Sequence, residues 1–553
     1  MSWYDDKPWM VLHSETARRA GTASPRTALE MFADAVAAAP ERPALTSFGA
    51  PLTYRQVDEL STGVAAYLLE RGFRKGDRLG LYLQNTPHFV LALLGAWKAG
   101  GVVVPLNPMY RQELDHMLRD AGVTALVSGE GPWAEHVGAT ATAAGVRIAL
   151  TVRESDTAAA NGRDRGAVPA GEGADEGVED LLEAARSRTG ANVADPGTVP
   201  DDIGLISYTS GTSGTPKGAT NTHRNLTVNA AMHRLYLGVP TGSTVLAMAP
   251  LFHITGMVCQ LLAAIDLTGT LALSGRFEPG VMLETLRRER PAYMVGPSTA
   301  FIALMSHPDF EADAFSSLRV IHSGGAPLPE AVVSRFRDLT GRPILNGYGL
   351  TECTAPCINV PPGREAPVDP DSGTVSIGLP MPSVGARIVG ENGEDLPPGS
   401  IGEIAVEGPM VVPGYWNRPD ATAEALPGGR LLTGDVGFMD GEGWFYVVDR
   451  KKDMINASGF KVWPREVEDV LYTHPGVQEA AVVGEPDAYR GETVAAYVSL
   501  RPGHTATAED LVGHCRARLA AYKAPRRVEL LTELPKTTSG KILRRALRHA
   551  AAG

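Results

Sequence analysis

Cysteine is scarce in this chain. Cys259, Cys353, Cys357 and Cys515 are the four among 553 residues, with no CxxC pair and no metal-like spacing. So few thiols cannot form a disulfide scaffold, and free thiols in a reducing cytoplasm are the expectation. Long apolar runs are also missing. A membrane span needs about 18 uninterrupted apolar residues. The richest window, Gly256 to Gly275, is broken by Gln260 and Asp266 and reads as a buried helix followed by a strand. The start, MSWYDDKPWM, has neither a basic cluster nor an apolar core and does not read as a signal peptide. Basic charge is in deficit, with 51 Lys plus Arg against 63 Asp plus Glu and a net charge of −12. That argues against a chain devoted to nucleic acid or to an anionic membrane surface. An integral membrane protein and a nucleic-acid partner are both set aside.

What the chain has is ordinary globular material, 44% hydrophobic and 21% charged. Its length suggests three or four folding units at roughly 150 residues each. Thr53 to Arg71 reads as a helix, with Thr53 and Gln56 forming a capping box and Val57, Leu60, Val64 and Leu68 on one face. Strand and helix patterns then alternate: Leu79–Leu83, Pro87–Lys98, Val102–Leu106, Ile203–Tyr208, Asn225–Leu237, Val245–Met248, Pro279–Glu289, Tyr293–Val295 and Leu318–His322. Such alternation implies parallel sheets covered by helices on both faces. Arg153 to Asp202 turns to Ala, Gly, Asp and Glu and reads as a surface connection around a short helix at Val178–Arg188. Thr374 to Val448 is dense in turn signals and reads as a small antiparallel β-subdomain. The last stretch, 450–553, carries a charge balance of +5 against −17 for the rest. A basic end on an acidic body fits either a polyanionic ligand or a merely solvated surface.

The most informative segment is Tyr208-Thr-Ser-Gly-Thr-Ser-Gly-Thr-Pro-Lys217-Gly218, placed after a hydrophobic strand and expected to lead into a helix. Gly211, Gly214 and Gly218 allow close backbone approach. Thr209, Ser210, Thr212, Ser213 and Thr215 supply hydroxyls, and Lys217 supplies a cation. Amides, hydroxyls and one ammonium on a loop suit a polyphosphate. It is not a Walker loop, because Lys217 follows Pro216 and precedes Gly218. The segment resembles the YTSGTTGxPKG signature of the adenylate-forming superfamily of acyl-CoA synthetases, carrier-protein adenylation domains and beetle luciferases. The one departure, Ser213, keeps the hydroxyl.

Further segments follow in that family's order. Ser323-Gly324-Gly325-Ala326 allows a flat ring to lie on the backbone, or is a plain strand–helix turn; the resemblance makes it the adenine wall. Asn346-Gly347-Tyr348-Gly349-Leu350-Thr351-Glu352 gathers an amide, an aromatic face, a hydroxyl and a carboxylate. Tyr348 can stack on adenine, Asn346 can meet its amino edge, Thr351 can reach a phosphate, and Glu352 is a hard oxygen ligand for Mg²⁺. The resemblance assigns Thr209 and Glu352 to that metal. Thr433-Gly434-Asp435 offers a carboxylate to ribose hydroxyls, and Arg450 lies fifteen residues on. In Pro535-Lys-Thr-Thr-Ser-Gly-Lys541 the lysine is a second cation, which the resemblance brings to the acyl carboxylate and α-phosphate. Phe252-His253 matches the acyl-pocket segment and puts His253 beside the carboxylate.

The resemblance implies an α/β protein. A large N-terminal domain (1–449) of stacked helix-covered sheets would carry a β-rich subdomain (374–448). A small mobile α+β C-terminal domain (450–553) would hinge near 450–452. It also implies a two-step ligation: a carboxylate attacks the α-phosphate of Mg·ATP, and the thiol of coenzyme A then displaces AMP. Lys541 would serve the first step, and the segment 456–461, with Ser458 and Gly459, the second. Ile254, Met257, Val258 and Leu261 make the acyl side apolar, and no acid stands ready for an amino acid's ammonium. The expected substrate is therefore a hydrophobic acid, fatty or otherwise bulky. An aryl-CoA ligase, a ligase loading a carrier protein and a nucleotide-binding protein that has lost catalysis are the rivals. A homodimer is left open.

Overall fold

The computed structural model describes residues 3–19, 26–153, 178–209, 215–370, 373–457, 460–487, 491–537 and 541–550. The alternation becomes two large, mainly parallel sheets. The first orders its seven described strands so that Arg78–Tyr82 lies centrally between Val102–Leu106 and Val123–Gly129. All three are Val- and Leu-rich and almost wholly buried, as strands covered on both faces must be. The predicted helix forms as Tyr54–Glu70, with the Thr53–Gln56 capping box in place. The helix Pro87–Lys98 packs against it and is buried nearly all round.

One edge of this sheet departs from the sequence reading. The glycine–hydroxyl segment does not lead into a helix. It joins β1 (Ile203–Thr209) to an antiparallel β2 (Lys217–Thr222), with Thr209 opposite Lys217. The strand Lys-Gly-Ala-Thr-Asn-Thr has no large apolar residue, so local hydropathy is blind to it. It is held instead by backbone bonds to β1 and to the Gly414–Trp416 turn, where Trp416 N donates to Gly218 O at 2.7 Å. Helix α1 (His223–Leu237) follows, capped by Thr222 and Asn225.

The second sheet has nine described strands. Its centre carries β3 (Tyr293–Gly296), β4 (Val320–Gly324) and β5 (Leu345–Tyr348), all parallel, with Gly296 beside Ser323 and Gly324 beside Gly347. Two motifs far apart in sequence therefore end side by side at the carboxyl ends of adjacent strands, where open α/β sheets place their ligands. A four-stranded antiparallel sheet follows, ending in β6 (Leu431–Met439) and β7 (Phe445–Arg450).

The last sheet is drawn from residues 455–530, with helices Pro464–Tyr472 and Ala508–Arg516 packed on it. It is tied to β7 by a buried ion cluster. Arg544 reaches Glu468 at 2.7 Å, Asp449 at 3.2 Å and Asp453 at 3.4 Å. Arg465 donates from its backbone to Asp449 and from its guanidinium to the Val447 carbonyl, each at 2.9 Å.

Candidate active site

Four segments meet around Lys541. Its backbone N donates to Thr537 Oγ1 at 3.0 Å. The side chain lies over the glycine wall: a Cβ added at Gly325 would stand 3.4 Å from Cε and 3.8 Å from Nζ. Gly325 has φ +80°, and a Cβ at Gly324 would come within 3.1 Å of the Gly347 carbonyl. Side chains at either position would fill the cradle. Burial, then Arg450, pushes the Lys541 amine down to about 8, while Asp435 and Glu352 oppose the shift. His253 caps the helix beginning at Ile254, its Nδ1 accepting from Thr255 N at 3.3 Å. Burial and the charge of Lys541 push its imidazole down to about 3, so it is neutral near pH 7. The helix runs on through a π-helical turn, Met257–Leu262, which is wholly buried.

Asp435 and Arg450 are direct cross-strand partners on β6 and β7, which explains their spacing in the sequence. Arg450 Nε lies 2.6 Å from Asp435 Oδ1, and Tyr348 Oη donates to Oδ2 at 2.6 Å. The carboxylate pair read from the sequence as open acceptors thus already holds one partner on each oxygen. Each oxygen retains a second lone pair for a hydroxyl. Asn346 is buried, and its Nδ2 is committed to the Ser376 carbonyl at 3.2 Å. Gly347 leaves room for the Asn359 carboxamide, and Gly349 for the Ala355–Pro356 backbone. Thr351 begins the short helix that carries Glu352, and its carbonyl accepts from Asn221 Nδ2 on β2 at 3.1 Å.

Glu352 Oε1 accepts from Tyr415 Oη at 2.6 Å, and Lys217 Nζ stands 5.3 Å from the centre of the same ring. Burial and Glu352 push the Tyr415 phenol far up, so it stays a donor. Tyr415 therefore links the loop cation to the acidic motif, and sequence reading missed it. Its only local signal is the aromatic pair Tyr415-Trp416 after a glycine. Thr209 Oγ1 makes a long contact of 3.4 Å to the Lys217 carbonyl. Tyr208 Oη donates to Asp120 at 2.6 Å and Trp416 Nε1 to the Asp120 carbonyl at 3.0 Å, fixing the hairpin's outer edge. Ala326, next in the chain after Gly325, is half-buried. Ser210, Gly211, Thr212, Ser213, Gly214, Ser458 and Gly459 lie outside the described residues.

Among the described residues no group of three or more His, Cys, Asp or Glu could hold a metal by itself. One carboxylate beside two lysines instead fits a Mg²⁺ carried in on phosphate oxygens, the usual mode for this ion. The glycine cradle, the Tyr348–Asp435–Arg450 triad and the two cations fit a nucleotide triphosphate. No described helix is long and apolar enough to cross a membrane.

The chain matches a family model described as AMP-binding enzyme over residues 32–416, and one described as AMP-binding enzyme C-terminal domain over 466–541. It is 39% identical over 541 residues to a long-chain-fatty-acid–CoA ligase of Escherichia coli O6:H1, covering 95% of this chain and 94% of the relative. It is 38% identical to a feruloyl-CoA synthase of an Amycolatopsis species, covering 92% of this chain and 96% of the relative. Its fold is similar to the crystal structure of the anthranilate CoA ligase AuaEII in complex with anthranoyl-AMP. There the TM-score is 0.86 at 27% identity, covering 96% of this chain and 99% of that one.

Proposed function

This chain belongs to the AMP-binding enzyme family, and within it we propose how the residues divide the work and which acid they take. It is an AMP-forming acid–thiol ligase that makes an acyl-CoA through an acyl-adenylate and uses ATP, Mg²⁺ and coenzyme A. The single observation that carries the assignment of roles is Lys541 over the glycine wall, within the field of Glu352, Asp435 and Arg450 and with its own charge acting on His253.

In our reading Asp435 and Arg450 hold the ribose, and Tyr348 lies against the adenine beside Gly324, Gly325 and Ala326. Asn346, Gly347 and Gly349 shape the adjoining edge. Thr209, the loop Ser210–Gly214 and Lys217 take the β- and γ-phosphates, with Thr351 beside them. Glu352 and Thr209 hold Mg²⁺, which spreads the charge of the phosphates when bound. Lys541 meets the acyl carboxylate and the α-phosphate. Two anions must come together there, so a fixed cation lowers the barrier by positioning and by stabilising charge on the phosphoryl oxygens. Neutral His253 lines the carboxylate's approach as a hydrogen-bonding group. Residues 450–553 form a domain hinged at 450–452, and its other face, with Ser458 and Gly459, admits the thiol.

The acid has an apolar acyl body. The buried set Ile254, Met257, Val258 and Leu261 after His253 supports this, as do relatives named for long-chain and feruloyl substrates at nearly equal identity. Four free, buried cysteines support a reducing, cytoplasmic setting. Mass spectrometry of acyl-AMP and acyl-CoA across a panel of carboxylic acids is the test. Both products should form from apolar acids. A preference for acetate or an amino acid over every longer acid would overturn the reading.

A further inference from the structure

The face of the large sheet turned toward α1 and the His253 helix carries polar side chains where a core would carry leucine. Strand register sets Val295 beside His322 and Tyr293 beside Val320, so Tyr293 and His322 share that face. His322 stands two residues before Gly324 of the adenine wall, and Val320 four. At about 3.3 Å per residue the cluster spans depths of about 7 to 13 Å below that wall. From α1 comes His233, whose Nε2 lies 2.9 Å from Tyr293 Oη. The three rings touch one another, with centroids 5.4, 5.8 and 6.0 Å apart. From the π-turn after His253 comes Gln260, whose Nε2 donates to the Val295 carbonyl at 2.8 Å.

All four side chains are at most 2% exposed. Among the described residues Gln260 Oε1, His233 Nδ1 and both ring nitrogens of His322 complete no hydrogen bond, although His322 faces the Val360 backbone. Buried polar atoms without partners carry a free-energy penalty, and native structures keep few of them without a use. Burial holds both imidazoles neutral, with His322 pushed down to about 4 and His233 well down. No carboxylate, ammonium or guanidinium contributes to the shift of His233, Tyr293 or His322. The cluster therefore suits a neutral donor–acceptor group and disfavours a charge.

We propose that His233, Tyr293, His322 and Gln260 form the far wall of the acyl site and select acids whose distal end carries a neutral hydrogen-bonding group, such as a phenolic or aliphatic hydroxyl. The same three rings close the site to long saturated chains. This rests on the acyl-CoA ligase reading and sharpens its substrate class.

The test measures kcat/KM for acyl-CoA formation by the full chain on matched acids. The pairs are 3-(4-hydroxyphenyl)propanoate against 3-phenylpropanoate and 8-hydroxyoctanoate against octanoate, with hexadecanoate as the long probe. At least one hydroxylated acid should be preferred about 10-fold or more, because its absence leaves buried partners unpaired. Gln260→Leu and Tyr293→Phe should each reduce that preference by about 2- to 10-fold. Each ratio is taken within one preparation, so partial misfolding lowers both rates and leaves the ratio intact. His322→Ala should raise the relative rate on hexadecanoate. Equal or better rates on the plain acids with hexadecanoate best, or ratios unmoved in the variants, would overturn the proposal while the ligase reading stands. No acyl-AMP from any acid would overturn both.

Discussion

Replacing Lys541 should separate the two half-reactions. Lys541→Met keeps the aliphatic stem that packs over Gly325 and removes only the charge. The size of the loss follows from the site. The ammonium lies 3.8 Å from where a Cβ at Gly325 would stand, so a phosphoryl oxygen occupying that space would be about 4 Å away. Two unit charges at that distance interact by about 4 kcal/mol at an effective dielectric of about 20. Losing one preorganised charge partner therefore costs about 100- to 1000-fold in rate. Pyrophosphate release from ATP and acid should fall by that factor. Conversion of supplied acyl-AMP and CoA to thioester should stay near wild type. Gly459→Leu is the counterpart: it should form acyl-AMP and release pyrophosphate, yet make little thioester. Because the amine sits at about 8, lowered by burial and Arg450, its charged form is lost as pH rises through that value. Adenylation kcat/KM should then fall about tenfold per pH unit above it. Lys541→Arg, which stays charged, should lack that limb even if it is slower. Equal loss of both half-reactions at an unchanged Tm would refute the reasoning.

Asp435→Asn removes the anion that holds Arg450 at 2.6 Å, so KM for ATP should rise about 10- to 100-fold while KM for the acid stays put; steady-state kinetics with each substrate varied checks it. Tyr415→Phe keeps the ring under Lys217 and deletes the hydrogen bond to Glu352. The Mg²⁺ concentration for half-maximal adenylation should rise about tenfold, as for loss of a group orienting a metal ligand. Glu352→Gln should raise it further, and identical Mg²⁺ titrations in both variants and the wild type would remove Glu352 from the metal.

What was legible in the sequence is what chemistry writes locally. The Thr53–Gln56 cap, the buried strand Val102–Leu106 and the placing of Gly324-Gly325 at the end of a strand each depend on residues a few positions apart. Lys217–Thr222 was not legible as a strand, because its neighbours on the far side are the backbone of Gly414–Trp416. Tyr415 was invisible for the same reason: its meaning comes from Glu352, which lies 63 positions away. His233, Tyr293 and His322 come from three separate elements, and each alone reads as one polar residue in an apolar run. Sheet register gathers Tyr293 and His322, and the packing of α1 adds His233.

The ion cluster around Arg544 bears on how the last domain can serve two steps. Asp449 lies before the proposed hinge at 450–452, whereas Glu468 and Arg544 lie beyond it. A turn about that hinge would part Arg544 from Asp449, at 3.2 Å, but carry Glu468 with it, at 2.7 Å. The guanidinium would keep a carboxylate partner throughout. That matters because a buried charge left alone costs about 3 to 5 kcal/mol, enough to lock one orientation. The pairing of Arg544 with Asp449, together with the bonds from Arg465 to Asp449 and to the Val447 carbonyl, then favours the orientation that brings Lys541 to the glycine wall. Asp449→Asn keeps the shape and weakens that preference, so adenylation should fall by about 2- to 10-fold relative to thioester formation from supplied acyl-AMP. Both half-reactions would be timed on one preparation of wild-type Tm. A ratio unchanged from wild type would mean that Asp449 does not hold the domain in place.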